Sequence, residues 1–330
     1  MAEFLTFDTD LTAVANAIRV KGGTSALLIY PSGFVSAIQA IQTGITPKLV
    51  VTTTPGAAIT ATPAEGFKVV KGTAGADGMC TLELPKAGTW HVTAMANSVS
   101  NSQHIVIGTQ NMLLPLYHDT FANNTWEEII TVCRTGIAPD SWAVGDSKTM
   151  NIGGTAYQVD IIGKNHDEYA DGSGTAPLTF QLHDCYSEAK QMYSTNLSGL
   201  GWKNTDMRLT YLPAILALMP AEVQNGIHAV NKKTSEGGNS TTIETVSDTL
   251  FLLSEVEIFG TASSSVAGEG SQYDYYKAGN PKIKKREGVD EFWWERSSAS
   301  GGMFCRVRAN GQAGASNASN SLGVSFAFCF

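Results

Sequence analysis

The densest cluster of reactive side chains in this chain is KNHDEY, which places Lys164, His166, Asp167, Glu168 and Tyr169 within six positions. A histidine beside carboxylates is the raw material of acid–base chemistry or of a cation site. No second histidine follows at helical spacing, and His183 and His228 lie far along the chain. The cluster therefore also reads as structural, with a hydrogen-bonded histidine at a strand end. DEYADGSG and EGSQYDYY gather oxygen donors suited to calcium, but the DxDxDG loop is absent and solvated turns account for both. The five cysteines, Cys80, Cys133, Cys185, Cys305 and Cys329, are widely spaced and form no CxxC pair. That pattern predicts free, buried thiols from a reducing compartment, with Cys305 and Cys329 the one pair close enough in sequence to approach each other. GxSxG, HExxH, P-loop and dinucleotide fingerprints are all missing, and GTAGADG reads as a turn. No catalytic residue, metal site or cofactor is expected.

Two further groups of charge stand out near the C-terminus. Arg306 and Arg308 share one face of an extended segment by period two, and arginine is favoured at binding hot spots; two solvated loop arginines are the alternative. KIKKREG (282–288) has Lys, Arg or Glu at five of seven positions and reads as a solvated loop. Trp293 and Trp294 adjoin, so in a strand their rings point to opposite faces. Both can be core, or one can line a binding surface.

The elements that must position these residues follow from pattern and composition. The chain has 330 residues, is 43% hydrophobic and only 16% charged, against about 25% charged in ordinary soluble domains. Ser, Thr, Asn, Gly and Ala fill the difference, which favours a β-rich, extracellular or virion-type protein. A net charge of −8 and a pI near 5.3 argue against binding a phosphate backbone. No apolar run reaches the ~18 residues of a membrane span. MAEFLTFDTD lacks a basic start and an apolar stretch, so no secretory signal is expected there.

Residues 1–45 predict two short helices. The first follows a cap at Asp8 or Asp10 and has Leu11, Val14, Ala15 and Ile18 on its apolar face; the second begins at Pro31 with Phe34, Ile38 and Ile41. So small a unit needs a partner or copies of itself. Residues 46–109 predict a small β-sandwich of short strands, KLVVTTT, AITATP, FKVVKGT, MCTLELP, TWHVTAMA and QHIVIG, with Trp90 in its core. Residues 110–120 read as a connector. Residues 121–330 mix helix and strand: a helix with Trp126, Ile129, Ile130 and Cys133 on one face, a hairpin around Gly153-Gly154, a strand at LTFQLHDCY, and a helical stretch interrupted by Pro213 and Pro220. Val324, Phe326, Phe328 and Phe330 alternate up to the last residue, and before them lies a run of small polar residues opened by the block Phe292–Trp293–Trp294.

Three stretches resemble known families. DLTAVANAIRVKGGTSALLIYPSGFVSAIQAI is similar to a module that opens tail-associated proteins of phages and prophages of Firmicutes. GADGMCTLELPKAGTWHVTA resembles the immunoglobulin-like or carboxypeptidase-regulatory-like sandwiches of phage structural proteins. IIGKNHDEYADGSGTAPLTFQLHDC, GLGWKNTDMR, DTLFLLSEVEIFG, EGSQYDYY, FWWERS and ASNSLGVSFAF together resemble a domain of gut bacterial and phage proteins with a C-type-lectin-like fold. The ending further resembles the variable proteins of diversity-generating retroelements, in which adenine-templated codons near the gene's 3′ end are rewritten. The lectin calcium motifs EPN and WND are absent.

The resemblance implies an α+β, multidomain phage-tail protein: a helical docking or oligomerising module, an Ig-like spacer, and a lectin-like display domain over 121–330 with a variable region over about 293–325. The implied ligand-contacting or variable positions are Trp294, Glu295, Ser298, Ser300, Met303, Arg306, Arg308, Ala309, Gln312, Ala315 and Asn317. Trp293, Trp294, Phe304, Val307, Val324 and Phe326 would be scaffold. Met303 and Gln312 depart from the pattern, because neither arises from an AAY codon by adenine change. Arg296 resembles a fixed structural arginine paired with Asp206 or Asp248. The expected partners are a host-surface receptor, protein or glycan, other tail or baseplate proteins, and further copies of the chain, a trimer foremost. Nucleic acid and membrane insertion are not expected, and the expected location is the virion tail. An oxidase resembling the formylglycine-generating enzyme, using Cys305 and Cys329, and a cell-surface adhesin or structural decoration are the rival readings.

Overall fold

Alternation of apolar and polar residues decides the first group of strands. The computed structural model describes residues 12, 14–18, 47–64, 68–85, 87–107, 110–197, 199–238 and 240–330. The chain is mixed α+β, built mostly of strands in several small sheets, and divides into two compact units, 1–114 and 115–330.

In the first unit, Lys48–Thr52 (β1) buries Leu49 and Val51 and turns its other residues outward. It pairs antiparallel with Met79–Glu83 (β4) and parallel with Gln110–Leu113 (β7). A second sheet has the order β3-β2-β5-β6, from Ala58–Pro63 (β2), Val70–Thr73 (β3), Gly88–Ala96 (β5) and Val99–Ile107 (β6). Ile59, Ala61, Val92 and Ala94 form its buried side, with Trp90 only 1% exposed as expected of a core residue. β7 occupies part of the stretch expected to be a connector. β6 starts before QHIVIG, because Asn97 and Ser98 adopt positive φ (48° and 66°) and close a two-residue turn. Residues 14–18 are helical, with Ala15 and Ile18 buried, but Val14, expected on the apolar face, is 48% exposed. Leu11 and the second expected helix lie outside the described residues.

In the second unit, Trp126–Cys133 (α1) starts at a reciprocal cap: Thr125 accepts from the Glu128 amide, and the Glu128 carboxylate accepts from the Thr125 amide. Trp126, Ile129, Ile130 and Cys133 are all buried. Ser147–Ile152 (β8) and Thr155–Lys164 (β9) form the hairpin expected at Gly153-Gly154, whose φ values of +59° and +91° explain the glycines. Leu178–Leu182 (β10) lies between β9 and the C-terminal strand Ala327–Cys329 (β18), giving the order β18-β10-β9-β8. All five residues of β10 are buried. The Phe180 ring lies 5.2 Å from both Phe328 and Phe330 and 5.9 Å from Trp126, which ties the chain end into the core. Val324 to Phe330 are buried on both faces rather than on one.

The interrupted helical stretch is a π turn, Met207–Tyr211, followed by Leu212–Leu216 (α2) and Ala221–Gly226 (α3), with Pro213 and Pro220 at the helix starts. Val230–Ser235 (β11) pairs with Ile243–Asp248 (β12), and two short helices follow, Glu255–Phe259 (α4) and Asp274–Lys277 (α5). Lys284–Arg286 (β13) pairs with Val289–Glu291 (β14). KIKKREG is therefore part of a hairpin and not a solvated loop. Lys284 is buried and donates to the Leu182 and His183 carbonyls, which satisfy an ammonium that the sequence alone leaves without a partner. The last sheet is Trp293–Ala299 (β15), Met303–Val307 (β16) and Ala313–Asn317 (β17), with β16 central.

Candidate functional site

The residues expected to contact a ligand fall on the β15-β16-β17 sheet and its turns, and they divide by burial. Ser300, Arg308, Gln312 and Asn317 are exposed; Met303, Arg306, Ala309 and Ala315 are half-buried. Trp294, Glu295 and Ser298 are not on the surface at all, with exposures of 0%, 0% and 2%. Their assignment to a display surface is corrected. β15 is buried along its whole length, and its register with β16 shifts between Trp294 and Ser298, which turns the intervening residues inward. The Trp294 indole donates to the Lys190 carbonyl, and the Ser298 hydroxyl meets Ser235 at 2.8 Å. Trp293, Phe304, Val307, Val324 and Phe326 are also fully buried. The accessible face is thus β16, β17 and the turns around 300 and 308–312, carried on β15.

β15 is held by a buried ion network. Arg296 reaches Glu257 on α4 with both terminal nitrogens and also donates to the carbonyls of Leu252, Lys233 and Glu269. Asp206 and Asp248 are not its partners. Asp248 instead accepts from Arg208 and from the Trp202 indole, and Asp206 accepts from the Ser194 amide. Many carboxylates were within reach of Arg296 by sequence, and only packing selects among them. Lys232 on β11 bridges Asp167 at 2.6 Å and Glu257 at 2.7 Å. Asp167 further accepts from Thr179 at 2.6 Å and from the Tyr273 hydroxyl at 2.8 Å. Burial alone would raise the Asp167 carboxyl, but the Lys232 charge and hydrogen bonds outweigh it and hold the group at about 2. Burial likewise opposes ionisation of Glu257, and Arg296 with Lys232 overcomes it. Removing one partner from such a network costs ~3–5 kcal/mol, because the other charge stays buried and unpaired.

Beside this network sits a second carboxyl group of residues that is less well served. Glu269 accepts from the Ser235 amide and the Ser297 hydroxyl, and Glu255 accepts from Ser263, Ser264 and Ser265. Glu295 is fully buried with neither oxygen partnered among the described residues. Burial, then Glu255 and Glu269, push its carboxyl well above the ordinary range, which favours the neutral acid. The Cys305 thiol lies 3.8 Å from Glu255, and burial with these carboxyls pushes it up as well. Cys329 lies in another sheet, 3.4 Å from the Thr179 hydroxyl, and burial raises it too. Both environments favour thiol over the thiolate that a nucleophile needs, and all five cysteines are free and buried.

KNHDEY and EGSQYDYY meet around a cavity of about 460 Å³ lined by His166, Asp167, Lys232, Glu257 and Gly270. His166 enters by stacking on Tyr273, ring centres 3.9 Å apart. The hydrogen-bonded side chains of the motif among the described residues are Lys164, which donates to the Pro139 carbonyl, and Asp167, because the strand end buries the acid and leaves the imidazole at the cavity wall. Among the described residues no group of three or more His, Cys, Asp or Glu could hold a metal ion. Sequence reasoning missed Lys232, Glu257 and Glu269. Lys232 had a signal: it occupies a buried position of the alternation Val230, Lys232, Thr234, where a lysine demands paired acids. Glu269 opens EGSQYDYY and Glu257 completes an S-x-x-E capping box with Ser254, but neither local signal names the buried cation each one meets.

No curated protein and no solved structure matches the chain. Residues 179–330, from β10 through β18, match one protein family, described as a domain of unknown function (DUF6273).

Proposed function

We propose that this chain is a binding protein of a phage or prophage tail, whose second unit has a C-type-lectin-like fold and presents β16, β17 and their turns to a host-surface receptor. The first unit, with its two sheets, is read as an Ig-like spacer, and several copies of the chain, a trimer foremost, engage the cell together. Avidity then lets weak single sites hold. One observation carries the reading. Exposed Ser300, Arg308 and Gln312 on the turns, and Asn317 at the end of β17, border a sheet whose inner residues Phe304 and Val307 are fully buried and whose neighbour β15 is pinned by Arg296. Side chains can change on such a face without moving the backbone, as adaptable recognition requires. The tail setting rests on the resemblance of the N-terminal and middle segments.

The test is sequencing of codons 293–325 across a natural population carrying the gene. Substitutions at Ser300, Arg306, Arg308, Ala315 and Asn317 in adenine-derived codons are expected, with Trp293, Trp294, Glu295, Ser298, Phe304 and Phe326 constant. A segment as uniform as the rest of the gene would overturn diversification and leave a fixed-specificity tail or decoration protein.

A further inference from the structure

The display reading leaves open what chemistry the face recognises, and two arginines narrow it. Arg208, Arg286 and Arg296 each pair with a carboxylate. Arg306 and Arg308, like Arg134, pair with none among the described residues, in a chain of net charge −8. Arg306 lies over the Phe292 ring, its guanidinium carbon 4.2 Å from the ring centre. Its Nε is buried and has no hydrogen-bond partner among the described residues. Across the ladder Arg306 faces Gly314. Arg308, two residues on, folds against that same glycine: a Cβ on Gly314 would come within 2.7 Å of the Arg308 Nε. The absent side chain makes room for the Arg308 guanidinium. The Arg308 backbone is fixed by bonds of 2.7 Å to the Gln312 carbonyl and from the Gly311 amide. Burial first, and then the Arg308 charge, lower the Arg306 pKa.

Resting on the display reading, we propose that Arg306 and Arg308 form an oxyanion site for an anionic surface polysaccharide, gripping a carboxylate or phosphate group of the polymer. A planar guanidinium offers paired donors that match either oxyanion, and Phe292 holds one such fork flat. The exposed amide of Gln312, whose backbone carbonyl binds Arg308, suits polyol hydroxyls.

The full chain, Arg308→Gln, and Arg306→Gln/Arg308→Gln would be passed over immobilised polygalacturonate, poly(glycerol phosphate), polyglutamate and neutral dextran, with melting curves alongside. Retention on the first two polymers is expected for the parent protein, weakening with salt. It should fall about tenfold in the single variant and further in the double, since a charged hydrogen bond contributes on the order of that factor. Arg308 is exposed, so its variant keeps the fold even if the double variant does not. Carboxylate and phosphate sources are separated by which polymer is held more tightly. Retention unchanged in the single and double variants overturns the inference, as does equal or stronger retention on polyglutamate. The same proteins and an Ala315→Trp/Asn317→Trp variant would then be tested for adhesion to a panel of bacterial cells. Adhesion lost only in the tryptophan variant overturns the oxyanion site and leaves the display reading standing. Adhesion kept by every variant overturns the display reading as well.

Discussion

Glu295 shows how far burial alone can move a side chain's chemistry. It sits in a strand, in a position that a display surface would leave open to water, yet both oxygens are buried and unpartnered. An unsatisfied buried polar group costs about 1–3 kcal/mol. Its folded-state pKa is raised above the ordinary value of 4.5. Below 4.5 the carboxyl is neutral folded and unfolded, and its cost does not change with pH. Above it the unfolded chain ionises while the folded chain stays protonated, so stability drains away as pH rises toward the folded value. Glu295→Gln removes the titration. The variant is expected to melt with the parent protein at pH 4 and above it by the equivalent of about 1–3 kcal/mol at pH 7. Equal melting temperatures across that range would mean that Glu295 is ionised and served by a partner. Asp167 runs the other way: its stabilisation is present above 3.8 and is lost as pH falls toward about 2. Comparing the variant with the parent at each pH cancels that contribution.

At the scale of elements, period and punctuation were legible where the signal is local. The β8–β9 hairpin followed from Gly153-Gly154, and α1 from its spaced apolar residues. The β5–β6 turn was not legible, because Asn97 and Ser98 take positive φ without a glycine. A serine held there carries strain that glycine lacks. Ser98→Gly is therefore expected to stabilise the first unit by about 0.5–1 kcal/mol, read by denaturant titration. A loss of stability would show that the Ser98 side chain contributes more than its backbone costs. β15 was misjudged for a different reason: alternation predicts one wet face, and a strand covered on both faces alternates in vain.

At the scale of the molecule, each unit holds its own buried core. The aromatic and aliphatic core of the second unit runs from Phe121 to Phe330, with Tyr117 packed against it. A fragment of residues 115–330 is expected to fold alone, with the near-ultraviolet dichroism of packed tryptophans and a cooperative melt. A fragment that lacks a cooperative transition would show that the unit depends on the first 114 residues.

By itself the sequence determined the β-rich character, the burial of all five thiols, the main hairpin of the second unit and a C-terminus tied into the core. These depend on composition, period and turn chemistry, which act over a few residues. Only the tertiary structure decided that Arg296 pairs with Glu257, that Lys232 bridges two acids, that Glu295 lies dry, that Arg306 lies over Phe292 and that Arg308 folds against Gly314. Those outcomes depend on which distant elements meet, and a charge does not record in sequence where its partner lies.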